Sequence, residues 1–414
     1  MLGVWLVHGV CFAGMLLRQQ WSRLVSAMLA FGWALQLAKQ IAEQLPPRAS
    51  SDTTELLTAV VLMGASLAVW SSPCCVTQRE VVLNTLRMHK RHTMNKIYKA
   101  IARITLAIAV ILCAVWFSIS QPTMRKNHAS SAHVDEARLR THVTTLSESF
   151  LPRNYKEPDN LNNCAEYIFQ NFLQAGALVE RQEFTVEQKK YVNIIGRFGK
   201  EKTKQIIIGA HYDTVQGTPG ADDNASGVAG LIELAYLIGK TELSRGVELV
   251  AYSLEEPPFF GTDMMGSAFH AASIERSRQI EGVIILEMIG YYDDRWGSQS
   301  YPMALLNILY PNRGNFIAVV GRTDQTEFTK RVKVGMKGAT DIPVYSINAP
   351  EFIPGVDFSD HRNYWERGFN ALMITDTAFY RNKAYHKTGD TAERLDYYRM
   401  SKVVVGVFEA IKKL

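Results

Sequence analysis

The sequence predicts an α/β sandwich of three layers: a mixed, mostly parallel sheet with helices on both faces, preceded by N-terminal membrane segments. Three observations carry this. From about residue 161 onward, short β-branched or apolar runs alternate with helical patterns. Those runs are apolar almost throughout instead of at every second residue, as in strands buried on both faces. The composition also changes abruptly near Ser120, where long apolar runs give way to mixed sequence.

Four apolar runs open the chain: Leu2–Leu17, Leu24–Ala38, Leu56–Trp70 and Ile104–Ser120. A bilayer span takes about 20 apolar residues, roughly 17–25, so the first three are short. The fourth is the best span; Ile101 and Ala102 extend it, and Trp116 suits an interface. Arg87, Lys90, Arg91, Lys96, Lys99 and Arg103 precede it, and the positive-inside rule places them in the cytoplasm. Everything after Ser120 is then extracytoplasmic, either periplasmic or extracellular. A start at Met94 would instead give a signal peptide or signal anchor with a Ser118-x-Ser120 site. Both readings export the same domain, and a retained anchor is the preferred one. The domain reading is 1–120 hydrophobic, 121–160 linker and entry helix, and 161–414 catalytic.

A net charge of +5 does not call for nucleic acid, because much of the excess sits in the basic block before the span. Of the five cysteines only Cys164 follows Ser120, so the exported part forms no internal disulfide, and no Cys-x-x-Cys supports a thiolate metal site.

The strands read as Tyr191–Phe198, Lys204–Ala210, Val247–Ser253, Gly282–Leu286, Phe316–Val320 and Ala371–Thr375. The helices read as Leu161–Ala175, Ala225–Gly239, Gly266–Arg278 and Ala392–Lys413. Ligands in open α/β sheets gather at the carboxyl ends of strands, and here those ends carry unusual groups. Lys204–Ala210 runs into His211-Tyr212-Asp213, Val247–Ser253 into Glu255-Glu256, and Gly282–Leu286 into Glu287. Ala371–Thr375 is followed after a loop by Tyr385-His386, and Asp222-Asp223-Asn224 opens a helix. Imidazole combined with carboxylate suits zinc in a hydrolytic site, including paired ions about 3.5–4 Å apart.

The stretch Gly209-Ala210-His211-Tyr212-Asp213-Thr214-Val215, followed by Pro219 to Gly227, resembles the co-catalytic di-zinc exopeptidases. That family includes bacterial leucyl aminopeptidases, glutamate carboxypeptidase and glutaminyl cyclases. Glu255-Glu256, Glu287 and Tyr385 to Thr391 continue the match in the family's order, from roughly Leu161 to the C-terminus. The resemblance implies two Zn²⁺ ions: His211 and Glu287 on one, Glu256 and His386 on the other, and Asp223 bridging both. Glu255 would be the general base toward a metal-bridging water, and Asp213 would orient His211. It also implies a cis bond between Asp223 and Asn224. His361 is a further candidate, polarising the scissile carbonyl, binding substrate or packing its loop. Asp222 reads as an outer neighbour of the ligands or a solvated one.

The chain departs from the commonest pattern in having Glu287 where many relatives have aspartate, and in the apolar loop Pro257–Met265, which is expected to shape the substrate pocket or to pack. The expected activity is an aminopeptidase acting on peptide substrates. The alternatives are a glutaminyl cyclase or carboxypeptidase of the same fold, or a receptor-like relative that has lost its ligands.

Overall fold

The computed structural model describes residues 76–414, with side chains at Met88 and from Met94 onward. The runs Leu2–Leu17, Leu24–Ala38 and Leu56–Trp70 lie outside the described residues. The chain divides into two compact units, Met1–Val115 and Trp116–Leu414. Among the described residues, one helix is long and apolar enough to cross a membrane: Met94–Ser120, with 27 residues at mean hydropathy 2.3. It is the second part of the continuous helix Val76–Ser120. At 1.5 Å per residue its length of about 40 Å exceeds the ~30 Å hydrocarbon core.

Within Trp116–Leu414 eight strands form one sheet: β1 Leu178–Val186, β2 Lys189–Phe198, β3 Lys204–His211, β4 Gly246–Tyr252, β5 Gln279–Glu287, β6 Ile317–Arg322, β7 Val344–Ala349 and β8 Ala371–Thr375. Their order is β1-β2-β4-β3-β5-β8-β6-β7. The centre, β4-β3-β5-β8, is parallel. β2 runs antiparallel to β4 and pairs antiparallel with β1. β6 and β7 are parallel to each other but antiparallel to β8.

Successive strand residues point to opposite faces, and here they feed two separate cores. Ile206, Ile208, Leu249, Ile284 and Leu372 face the larger one, closed by helices Pro158–Gln174, Gly227–Ile238, Thr326–Met336 and Tyr397–Lys413. Ile207, Val250, Ile285 and Met373 face the smaller one, under the short helices Gly266–Ser273 and His361–Trp365. The mixed sheet with helices on both faces is therefore observed.

Several elements were not expected, among them both edge strands and a helix. β1 (LVERQEFTV) is an edge strand that buries only Phe184 and Val186, so it shows little apolar signal. The other edge, β7 (VYSINA), turns Ser346 and Asn348 inward. Helix Thr326–Met336 buries Phe328, Val332 and Met336 at four-residue spacing, each worth roughly 1.5–3 kcal/mol. Caps decide other boundaries. The C-terminal helix begins at Tyr397, not Ala392, because the Asp396 carboxylate accepts the Arg399 N–H at 2.9 Å. Part of the stretch read as a linker is built into the domain. Helix Glu136–Thr144 is capped by Asp135, and Leu139, Val143 and Leu146 are fully buried.

Candidate metal centre

Because β3, β4, β5 and β8 are parallel, their carboxyl ends share one edge of the sheet. His211 is the last residue of β3 and Glu287 the last of β5. Leu254 at φ 61°, Met288 at φ 51° and His386 at φ 56° adopt left-handed backbone beside these positions. Non-glycine residues rarely do so, and such conformations concentrate at functional sites. Leu254 turns the chain out of β4 immediately before Glu255 and Glu256. The Asp223–Asn224 bond is cis.

Five side chains converge there. His211 Nε2 lies 3.3 Å from Asp223 Oδ1 and 3.3 Å from Glu287 Oε2. His386 Nε2 lies 3.1 Å from Asp223 Oδ2 and 3.2 Å from Glu256 Oε2. Asp223 thus offers one oxygen to each group. Glu255 stands further off, its Oε2 3.9 Å from His211 Nε2.

This arrangement fits metal ions. Both Nε2 atoms are buried and have no hydrogen-bond partner. Tetrahedral zinc with ligands at 2.0–2.2 Å sets neighbouring ligand atoms about 3.3–3.5 Å apart, close to the spacing observed in both groups. Three groups of side chains come close enough to hold an ion: His211, Asp223 and Glu287; Asp223, Glu256 and His386; and His211, Glu255 and Glu256. The first two share Asp223 and form a pair of triads.

Outer hydrogen bonds set these atoms in place. The Asp213 carboxylate accepts the backbone N–H of both Glu255 and Glu256, each at 3.1 Å. Its backbone carbonyl lies 3.2 Å from His211 Nδ1, with Oδ1 at 3.6 Å. A proton on Nδ1 leaves Nε2 as the lone-pair nitrogen facing the carboxylates. Ser359 Oγ donates to Glu287 Oε2 at 2.6 Å, and Val215 N–H to Glu256 Oε1 at 3.2 Å. Burial pushes Glu255 well above the usual carboxylate range, opposed by His211 and reinforced by Glu256 and Glu287. Burial and the Asp223 charge raise Glu256 to about 7. Burial also opposes ionisation of Asp223, but the nearby imidazoles of His211 and His386 outweigh it and hold that carboxyl low.

His361 is not brought into either triad. It is fully buried, its Nε2 2.7 Å from the Val356 carbonyl and its ring against Trp365 at 4.4 Å. Burial lowers its pKa to about 4. Its neighbour Asp360, also fully buried, is the group whose charge reaches His211, Glu255 and Glu287. Asp222 is not solvated; it is buried and accepts hydrogen bonds from Gly290 N–H and the Asn382 amide. In the loop Pro257–Met265, Phe259 and Met265 are buried, Phe259 against Tyr155, while Pro257, Pro258, Asp263 and Met264 are exposed.

Two important residues carried no local signal. Asp390 accepts the backbone N–H groups of Asp222 and Asp223 and so fixes the shared ligand; its place in the Tyr385–Thr391 run was the available hint. Arg153 is fully buried and donates to the carbonyls of Leu146, Tyr212, Pro219 and Gly220, tying the entry segment to the loops that carry His211 and Asp223.

An apolar cleft opens from Glu287 and Tyr385 and runs between Tyr301, Tyr310, Phe316, Tyr345, Phe358 and Phe379. Among the described residues no Lys, Arg or His lines it.

The sequence profile of Peptidase family M28 matches residues 193–411. The chain belongs to Peptidase family M28. This M28 chain is 50% identical over 295 residues to the uncharacterized protein YfbL of Escherichia coli (strain K12), covering 69% of this chain and 91% of that one. Leucine aminopeptidase 1 of Ajellomyces capsulatus (strain H88) is 24% identical over 314 residues, covering 70% and 76%. In fold, the M28 chain resembles a zinc aminopeptidase from Bacillus subtilis, with a TM-score of 0.55 at 13% identity over 67% and 94% of the two chains.

Proposed function

We propose that this M28 peptidase is a zinc-dependent aminopeptidase whose catalytic domain is anchored in a membrane and faces away from the cytoplasm. The observation that carries the reading is the pair of buried, unpartnered imidazole nitrogens set against the two oxygens of Asp223. His211, Asp223 and Glu287 would hold one zinc, and Glu256, His386 and the other Asp223 oxygen a second. Two zinc ions would supply Lewis acidity that activates water near neutral pH and polarises the scissile carbonyl. Three carboxylates balance three of their four charges, leaving the centre electrophilic. Glu255, off both triads, accepts a proton from the attacking water at its carboxylate. It returns that proton to the nitrogen of the breaking amide bond, so a free amine leaves. Asp213 holds the peptide bonds of Glu255 and Glu256 so that one side chain serves as base and the other as ligand.

The cleft favours an aminopeptidase over a carboxypeptidase. A substrate's terminal carboxylate needs a cationic partner, and no such group lines this pocket. An N-terminal residue with an apolar side chain suits it. A single-zinc glutaminyl cyclase does not require both triads, and both are intact here. A panel of aminoacyl anilides and N-acetylated counterparts tests the reading. Leucyl and phenylalanyl anilides should be cleaved and the acetylated forms left intact; preferential cleavage of blocked or C-terminal substrates would replace it.

The domain boundaries 1–120, 121–160 and 161–414 and the anchor belong to the same proposal. The basic residues before Ile104–Ser120 support a cytoplasmic N-terminal side. The protein should stay with membranes through a high-salt wash. A C-terminal reporter active only outside the cytoplasm should be active. A soluble domain beginning at Gln121 would point to a cleaved signal instead.

A further inference from the structure

The end of the apolar helix enters a socket that the catalytic chemistry does not explain. Among the described residues, the hydrogen bonds of Ser120 and Gln121 lie within Trp116–Leu414. Lys333, only 5% exposed, donates its ammonium to the carbonyls of Ser120 at 2.7 Å and Gln121 at 3.2 Å. Among the described residues no carboxylate pairs with it; its partners are carbonyls. Burial, with Lys337 nearby, lowers its pKa to about 7. The terminal carbonyls of a helix carry partial negative charge, and a lysine there completes the hydrogen bonding of the last turn. Without Ser120 and Gln121 this buried ammonium would lose the partners that offset its desolvation.

Ser346 Oγ, fully enclosed on edge strand β7, lies 2.8 Å from the same Ser120 carbonyl and 2.9 Å from Gln121 Oε1. The Ser346 carbonyl in turn accepts the Tyr310 hydroxyl at 2.7 Å. Tyr310 and Ser346 both line the apolar cleft, with Tyr345 beside them. A chain of hydrogen bonds therefore runs from the helix end to the wall of the cleft. Beyond it, Lys337 Nζ donates to the Thr123 carbonyl at 2.5 Å, and Asn127 N–H to the Lys337 carbonyl at 2.6 Å. Thr123 and Asn127 are thus fastened to the domain and do not hang free.

We propose that the Ser120–Gln121 segment is a fixed part of the catalytic domain, and that through Ser346 and Tyr310 it holds the cleft wall in the shape that admits a bulky apolar side chain. Lys333 and Ser346 are positioning residues; neither needs to touch the reacting atoms. The selectivity half of this inference rests on the aminopeptidase reading, whereas the docking half does not.

The test uses the full chain in detergent, with Lys333→Met and, as the milder change, Ser346→Ala. The readouts are the ratio of kcat/KM for phenylalanyl over alanyl anilide, zinc content, and limited proteolysis between residues 121 and 130. Both variants should lower the ratio about fivefold, mainly by raising KM for the phenylalanyl substrate, with zinc content unchanged. Lys333→Met should also expose the 121–130 segment to cleavage. An unchanged ratio, or an equal loss on both substrates, would overturn the selectivity role. Unchanged proteolysis would overturn the docking role. If the wild-type chain cleaves neither anilide, the aminopeptidase reading fails while the proteolysis result still decides the docking.

Discussion

Glu255→Gln is expected to lower kcat by about 10²–10⁴-fold, or ~3–5 kcal/mol of barrier, while the chain still binds two zinc ions. Glutamine keeps the length and shape of the side chain but cannot accept the water's proton. The two carboxylates differ in their distance to the nearest imidazole. Glu255 Oε2 is 3.9 Å from His211 Nε2, whereas Glu256 Oε2 is 3.2 Å from His386 Nε2. Both backbone amides are held by Asp213, so neither substitution disturbs that clamp. Glu256→Gln should therefore show chiefly a loss of metal occupancy, partly restored by excess zinc. Parallel metal titrations and rate measurements decide between them. Metal loss in Glu255→Gln with retention in Glu256→Gln would reverse the assignment. Less than a tenfold loss in both would remove the proposed site.

Asp223→Ala should be the most damaging ligand change, because one side chain serves both triads. The loss of activity should exceed about 10²-fold, the most that removal of a mere hydrogen-bond partner of a ligand usually costs. Metal content should fall at both positions, not one. Stability offers an independent reading. Ions that bind only the folded state raise the apparent Tm, and chelation removes that gain from the wild type. Asp223→Ala, already without tightly held ions, should show little further drop in Tm on chelation. A variant that retained one zinc and a chelator-sensitive Tm would show that Asp223 belongs to a single ion.

The candidate ligand set was legible in part because two of its members sit at the ends of apolar strands. His211 ends β3 and Glu287 ends β5, and the runs before them are local signals that any reader of the sequence meets. Once those strands are parallel neighbours, their ends must share an edge. The order of the strands, the antiparallel pair β6–β8 and both edge strands were not legible. β1 and β7 are held by pairing and packing with distant segments, and their own residues are too polar to announce a strand.

His361 illustrates the limit within a motif. The sequence offered His361 as a candidate, but only the fold shows that its imidazole packs on Trp365 while Asp360 lies beside the carboxylates. Arg153, Asp390 and Lys333 go further, since their partners are backbone groups up to 213 residues away in sequence. A backbone carbonyl or N–H is the same in every residue type, so no pattern of side chains can disclose such a bond. The sequence by itself determined the sandwich, the apolar helix and the kinds of ligand. Tertiary structure decided which oxygen meets which nitrogen, because that depends on distances between segments that meet only when the chain is folded.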